Sequence, residues 1–276
     1  MDTSKIKNFI IIVLVLTNAL LLVTYAVERV KGNEVKQAAT QELIDLYEAS
    51  GITLPDNLDI YGTAPNSCDL NRNLETERQM IEAILGKCSV SEQGGNIYAY
   101  TGENGQASFR GTGEFEMLLN YGVADSSHGR VEASKSVLKQ IGMTPGSFSE
   151  ETQDGEQYTV TLDCLYEGSE VYNARVNFLF SGDSLMIVSG KRVFDTKTDQ
   201  ASDEEAIDVG TALVRFLKES ASKGYVCTAV TEISPGYAMS VTVSGDCILN
   251  PVWRIETDTG EYMLNAVTGR FETIAY

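Results

Sequence analysis

The side chains that could act as bases, nucleophiles or metal ligands are few in this chain. There is one histidine, His128, in a glycine-flanked polar segment. A metal site with two histidine ligands is therefore impossible, and no GxSxG elbow accompanies His128 to form a catalytic triad. We expect His128 to be an ordinary turn residue, and we expect no catalytic, metal or cofactor site.

The chain has five cysteines, an odd number, so at least one thiol is free unless it pairs between molecules. Cys164 is the predicted free thiol, because it alternates with Val160 and Leu162 on one face of a strand and suits a small core position. Cys68 and Cys88 flank a predicted helix and could form a disulfide.

A bridge between Cys227 and Cys247 is harder to form. A hairpin that turns at Ser234-Pro235-Gly236 would place Cys227 opposite Val243, about two strand pairs away from Cys247.

The acidic stretch from Asp195 to Asp208 resembles a calcium loop only in charge. Lys197 occupies the third position of such a loop, and Gln200 stands where an EF-hand needs glycine. Acids here have another role, since they complement the dipole at the start of a helix. Paired carboxylates for glycoside cleavage remain an alternative in a chain with 39 acidic residues.

Polar residues recur within the most apolar segment of the chain. Thr17 and Asn18 are followed seven residues later by Thr24 and Tyr25, so all four share one stripe of a helix. In lipid, the amide of Asn18 favours a hydrogen bond to another helix. The predicted contact with a partner helix is this stripe; the alternative is that these residues are merely tolerated.

That segment, Phe9 to Val27, has 19 residues and no charge. At 1.5 Å per residue it reaches roughly 28 Å, about the thickness of a bilayer's hydrocarbon core. We predict a single transmembrane helix over residues 9–27, with residues 1–8 in the cytoplasm and the bulk extracytoplasmic. A signal peptide cleaved near Thr24-Tyr25-Ala26 is the alternative, but the apolar run exceeds the usual 7–15 residues.

The charge of the remaining chain excludes several classes of partner. The whole chain carries −18 and residues 1–31 carry +2, so the other 245 residues carry −20. Such a surface repels nucleic acid and anionic lipid headgroups. With 43% hydrophobic residues, the chain can still bury a core.

Helices and short strands alternate along the rest of the chain. Apolar periodicity predicts helices over residues 34–50, Leu74 to Leu85, Val131 to Ile141 and Asp203 to Ser222. Ser202 and Glu205 would form a capping box for the last helix. Cys68 to Asn73 and the segment GSFSEETQDGEQ are predicted to be loops.

The chain ends in a predicted hairpin, because Thr257-Asp258-Thr259-Gly260 favours a tight turn. Its register would pair Ile255 with Tyr262 and Trp253 with Leu264, which would place all four on one buried face. Another glycine turn ends at Gly269. Helices followed by antiparallel strands recur, which indicates an α+β fold of two related units, residues 34–127 and 128–276, with helices packed on antiparallel sheets.

Several segments resemble one known family. The opening MDTSKIKNFIIIVLVLTNALLL is similar to the MDWSK-type start of YycI proteins and, more loosely, of YycH proteins. Met1, Asp2, Ser4, Lys5 and Asn18 match, whereas Thr3 stands where the family usually has tryptophan. GITLPDNL, GQASFRGTGEF, VYNARVNFLF and PVWRIETDTGEYMLNAVTGRFE also resemble family segments in order. The last of these is similar to a PepSY-type hairpin as well.

The resemblance implies a bitopic, non-enzymatic regulator of the sensor histidine kinase WalK of Gram-positive bacteria. Its implied partners are the kinase and a sister regulator in the membrane. Two alternatives stay open: a PepSY-like extracytoplasmic protease inhibitor or chaperone, and an anchored cell-wall hydrolase.

Overall fold

The fold is α+β, with four helices placed around one large sheet that is mostly antiparallel. The computed structural model describes residues 34–56, 58–124, 126, 129–194, 196–198, 205–242 and 245–272. Its helices are α1 (residues 34–49), α2 (Leu74–Leu85), α3 (Arg130–Gln140) and α4 (Val209–Lys223). The predicted helical segments are thus all confirmed, although α4 begins later than predicted.

Fourteen strands form the sheet in the described part of the chain. They are β1 (Cys68–Asn71), β2 (Ser89–Gly94), β3 (Ile97–Gly102), β4 (Gly105–Arg110), β5 (Glu114–Leu119), β6 (Thr144–Asp154), β7 (Gln157–Tyr166), β8 (Ser169–Ser181), β9 (Ser184–Lys191), β10 (Thr196–Lys197), β11 (Val230–Val241), β12 (Cys247–Thr257), β13 (Gly260–Asn265) and β14 (Phe271–Glu272).

The strand order joins early and late parts of the chain. It runs β10-β1-β12-β11-β8-β9-β5-β4-β3-β2. Off this path, β13 pairs with β12 and β14 with β13, while β7 pairs with β8 and β6 with β7. Only β11 and β8 pair in parallel among the described strands, at Gly236 and Tyr237. The division into units at residue 127 stays a prediction.

Two predicted loops are strands, and the prediction for each was wrong. β1 occupies part of Cys68 to Asn73, and Leu70 within it is fully buried between β10 and β12. The polar segment GSFSEETQDGEQ lies largely in β6, which pairs with β7 alone and has a register shift between Pro145 and Ser149. An edge strand that is exposed on both faces needs no apolar alternation, so periodicity missed it.

The chain does not turn at Ser234-Pro235-Gly236, where the sequence allowed a hairpin turn. β11 continues through these residues and pairs with β12 from Val230 to Val241. Turn-forming residue types do not end a strand when neighbouring strands fix its backbone.

The start of α4 differs from the predicted capping box. Asp208, not Ser202, is the N-cap, and its carboxylate accepts a hydrogen bond from Thr211 N at 2.8 Å. The preceding backbone is held elsewhere, because Ile207 N–H donates to Ala266 O at 2.7 Å and Ile207 O accepts from the Trp253 indole at 3.0 Å. These tertiary bonds keep Glu205 to Ile207 out of the helix; Ser202 lies outside the described residues.

The terminal hairpin has the predicted register. Trp253 lies opposite Leu264 and Ile255 opposite Tyr262. Trp253, Ile255 and Leu264 are buried, and Tyr262 packs against the same cluster. Gly269 has a φ of +67°, as its turn requires.

Candidate functional site

The predicted contact stripe of Thr17, Asn18, Thr24 and Tyr25 lies outside the described residues, as do the predicted span and His128. Within the described ranges, which begin at residue 34, no helix has the length and apolar content needed to cross a membrane. The candidate site is therefore sought among the residues that the structure describes.

The thiols do not form a reactive site. All five cysteines are free and buried, so Cys68 and Cys88 do not form the disulfide that their positions allowed. Burial raises the pKa of Cys164 to about 12 and that of Cys247 to about 11. Because the thiolate is the nucleophile, these groups are suited to packing rather than to covalent chemistry.

Carboxylates do not gather into a metal site in the part of the chain that the structure describes. The end of the acidic stretch, Asp208, instead caps α4. Glu77 is the most deeply buried carboxylate of the described residues, and Arg72, Arg192 and Tyr100 surround it with hydrogen bonds of 2.7 to 3.1 Å. This closed ion cluster holds α2 on the sheet.

A groove between the first and last helices is the surface best suited to a partner. We call it the α1–α4 groove; its volume is about 590 Å³. Its lining residues are Ala39, Glu42, Leu43, Leu46, Ile60, Tyr61, Asp208, Gly210, Thr211 and Val214.

The two helices are fixed to each other below the groove. The Tyr47 side chain is fully buried, and its hydroxyl donates a hydrogen bond to Leu213 O at 2.8 Å. Leu43 on the same side of α1 is buried against Phe216 and its neighbours. The walls of the groove are therefore rigidly spaced before any partner arrives.

The segment between α1 and β1 forms the remaining wall. Gly210 N–H donates to Ile60 O at 2.8 Å, which ties this segment to the first turn of α4. Lys36 places its ammonium 4.8 Å from the centre of the ring of Tyr61, one of the groove residues. A cation over an aromatic face is a stabilising arrangement.

The apolar residues of α1 form two groups in the structure. Leu43 and Tyr47 point into the core, whereas Leu46 remains 43% exposed and Val35 remains 66% exposed. Their spacing in the sequence puts all four on one stripe of a helix, so periodicity does not separate the two groups. The apolar stripe of α1 is wider than packing against one surface requires. This width was the signal in the sequence that α1 has a second apolar flank.

The groove can bind but offers no reacting groups. It combines apolar side chains with carboxylates that are exposed or used in capping, and it lacks a nucleophile beside a base. Such a surface suits the packing of another protein segment.

Comparison with known proteins gives distant structural likenesses. No curated protein matches the chain. A crystal structure of an uncharacterized protein from Eubacterium rectale is 12% identical, with a TM-score of 0.49 over 81% of this chain and 90% of that chain. The Bacillus megaterium YpeB C-terminal domain is also 12% identical, with a TM-score of 0.33 over 74% of this chain and 98% of that domain.

A family model gives the assignment. The model described as YycI protein matches residues 123–267, which is more than half of the 276 residues. The matched region includes α3, α4 and the terminal hairpin, whose sequence carried part of the resemblance. The chain belongs to the YycI family.

Proposed function

We propose that this chain is a non-enzymatic, membrane-anchored regulator of a WalK-type sensor histidine kinase. Membership of the YycI family carries the proposal, because that family is associated with the WalK kinase system. The proposal also names the membrane anchor of the chain, its contacts and its partners.

The proposed anchor is the uncharged segment from Phe9 to Val27, with the amino terminus in the cytoplasm and the bulk of the chain extracytoplasmic. Its length supports a single pass through the membrane. Glu28 follows the proposed span from Phe9 to Val27 and would lie outside the bilayer. The first described helix begins six residues after Glu28, at residue 34. Residues of α1 would then lie close to the membrane surface.

The proposed partners are the kinase and a sister regulator of the YycH type, as the family implies. Thr17, Asn18, Thr24 and Tyr25 would contact a partner helix inside the membrane. The soluble part would add contacts that differ between the signalling states of the kinase, since a regulator shifts an equilibrium only by its differential affinity.

Several observations support binding rather than catalysis. The chain has one histidine. The described thiols are buried, and the groove presents no nucleophile paired with a base. Regulation by association needs none of these groups.

The test replaces the polar stripe in the full-length chain. We expect Thr17→Leu, Asn18→Leu and Thr24→Leu together to weaken co-purification with the kinase and to change a kinase-dependent reporter. Each membrane hydrogen bond is worth about 0.6–2 kcal/mol, so the complex should be weakened rather than abolished. Ile12→Leu, Leu16→Ile and Val23→Leu, on the opposite side of an ideal helix, form the matched control.

Two results would contradict the proposal. An unrelated span that regulates as well as Phe9 to Val27 would place the action outside the membrane. A mature domain that is released from the cell and acts on a protease would favour the PepSY-like inhibitor instead.

A further inference from the structure

We propose that the α1–α4 groove is the docking site for a basic amphipathic helix of a partner protein. The inference rests on the proposed function, because it names the chemistry of the extracytoplasmic contact. Three features carry it: the spacing of the groove residues, their exposure, and their charge.

The spacing on α1 suits a helix as the occupant. Val35, Ala39, Glu42 and Leu46 follow one another at intervals of four, three and four residues, which is the seam of a helix that packs along another helix. On the opposite wall, Thr211 and Val214 are one turn apart on α4. Both helical walls therefore present residues at helical spacing along the groove.

Apolar exposure is concentrated at this place. Ten large hydrophobic side chains are exposed in the described part of the chain, and four of them lie in or beside the groove. They are Val35 (66%), Leu46 (43%), Tyr61 (37%) and Val214 (48%). Single exposed apolar residues are ordinary, but a group that flanks one channel marks a contact surface.

The rim of the groove is acidic. Glu42 and Asp208 line it, and Asp59 lies beside the adjoining Tyr61. Two lysines lie nearby: Lys36 is engaged with the Tyr61 ring, and Lys218 follows Val214 by one turn of α4. On α1, Asp45 lies next to the exposed Leu46. A partner with lysine or arginine beside its apolar stripe complements this arrangement.

The same charges disfavour two other occupants. A second copy would bring Glu42 and Asp45 toward their own equivalents, and like charges at an interface oppose association. An anionic lipid surface would meet the same repulsion. A basic helix is the occupant whose charge and shape both fit.

The test uses the full-length chain in phosphatidylcholine nanodiscs and a labelled leucine–lysine peptide of the length of α1, with its leucines in a heptad seam. We expect saturable binding at one site that weakens with salt. A leucine–glutamate peptide of the same pattern should bind at least about tenfold more weakly.

Variants locate the binding site. Val214→Arg should weaken peptide binding by about tenfold, because it places bulk and positive charge in the groove. Glu42→Lys should act in the same direction. Val90→Arg is the matched control, since Val90 is exposed to a similar extent (42%) on β2, at the far end of the sheet order. Equal urea midpoints will establish that all variants are folded.

Hydrogen exchange supplies an independent readout. Peptide binding should protect α1 and residues 58–62 in the parent chain and not in the Val214→Arg variant. The proposal is overturned if no saturable binding occurs, or if Val214→Arg and Val90→Arg weaken it equally. It is also overturned if the same protection arises without peptide, either in phosphatidylglycerol discs or in discs loaded with two copies.

Failure here is separable from failure of the proposed function. If the full-length chain co-purifies with the kinase but does not bind the peptide, docking in the groove is refuted and the proposed regulatory function stands. Peptide binding without any association with the kinase would do the reverse.

Discussion

At the scale of single residues, Glu77 is the most buried charge among the described residues. Its carboxylate accepts two hydrogen bonds from Arg72, at 2.7 and 2.8 Å, and others from Tyr100 and Arg192. Glu77 and Arg192 are both 2% exposed or less. Periodicity cannot predict a buried glutamate, because its partners come from β3 and from the segment after β9.

Glu77→Gln should lower the free energy of unfolding by about 3–5 kcal/mol, because it leaves two buried guanidinium groups without their counter-charge. Urea unfolding monitored by circular dichroism measures the loss. Glu75→Gln, exposed on the same helix, should change stability by less than about 0.5 kcal/mol. If Glu77→Gln lowers the free energy of unfolding by less than about 1 kcal/mol, the ion cluster does not stabilise the fold.

Cys164 should make stability depend on alkaline pH. Burial raises the pKa of the folded thiol to about 12 from an ordinary value near 9.0. Below pH 9 the thiol is neutral in both the folded and the unfolded chain, so its full contribution to the free energy of unfolding is present there. As the pH rises from about 9 to 12, only the unfolded chain loses the proton, and stability falls by up to about 1.4 kcal/mol per pH unit.

Cys164→Ala should therefore reduce the slope of stability against pH between about 9 and 11. Urea titrations across that range measure the slope, and the range from about pH 7 to 8, where both proteins should behave alike, is the internal control. Equal slopes for both proteins at alkaline pH would contradict the assignment.

At the scale of elements, β11 shows where turn chemistry misleads. Gly236 is needed for close approach rather than for a turn: a Cβ there would lie 2.5 Å from the Tyr172 ring and 2.7 Å from Glu170 O. This is the point at which β11 pairs with β8. The sequence shows the glycine, but only the fold shows the neighbour that requires it.

Gly236→Ala should destabilise the protein by about 1–3 kcal/mol, because the added methyl overpacks the β8–β11 contact. Thr231→Ala, at an exposed position of the same strand, is the control and should cost less than about 1 kcal/mol. Urea midpoints compare the two. If Gly236→Ala left the free energy of unfolding unchanged, β8 and β11 would make room for the methyl group without loss of stability.

Asp258 joins the terminal hairpin to the segment before β11. Its carboxylate accepts from the hydroxyl and the amide of Thr228, and the Thr228 side-chain and backbone hydrogen bonds lower the pKa of Asp258 below its ordinary value of 3.8. The contribution is present above that value and is lost as the pH falls through the lower folded pKa. Asp258→Asn should therefore flatten the acid limb of the stability profile; an unchanged limb would contradict this prediction.

At the scale of the whole molecule, two core clusters share the same pair of strands. Val230, Trp253 and Ile255 belong to the cluster beneath α1 and α4, whereas Met239 and Leu249 belong to the cluster beneath α2 and α3. β11 and β12 pass through both clusters. Local sequence patterns predicted the helices and the hairpin register because these depend on near neighbours, but they carried no information about this sharing.

The single tryptophan should report on the unfolding of both clusters. Because Trp253 lies on a strand that both clusters use, its fluorescence transition in urea should coincide with the loss of circular dichroism. A fluorescence midpoint clearly below the dichroism midpoint would show that the clusters unfold separately. Phe178→Leu, in the other cluster, should shift both midpoints together.

The hydrogen bond from Tyr47 to Leu213 O has a mechanical consequence. It fastens the first described helix to the last one, beside a core that both helices share. In a chain held by its amino terminus, tension at residue 34 would reach this junction through α1. The end of the protein nearest the proposed tether is thus also the end at which force enters its core.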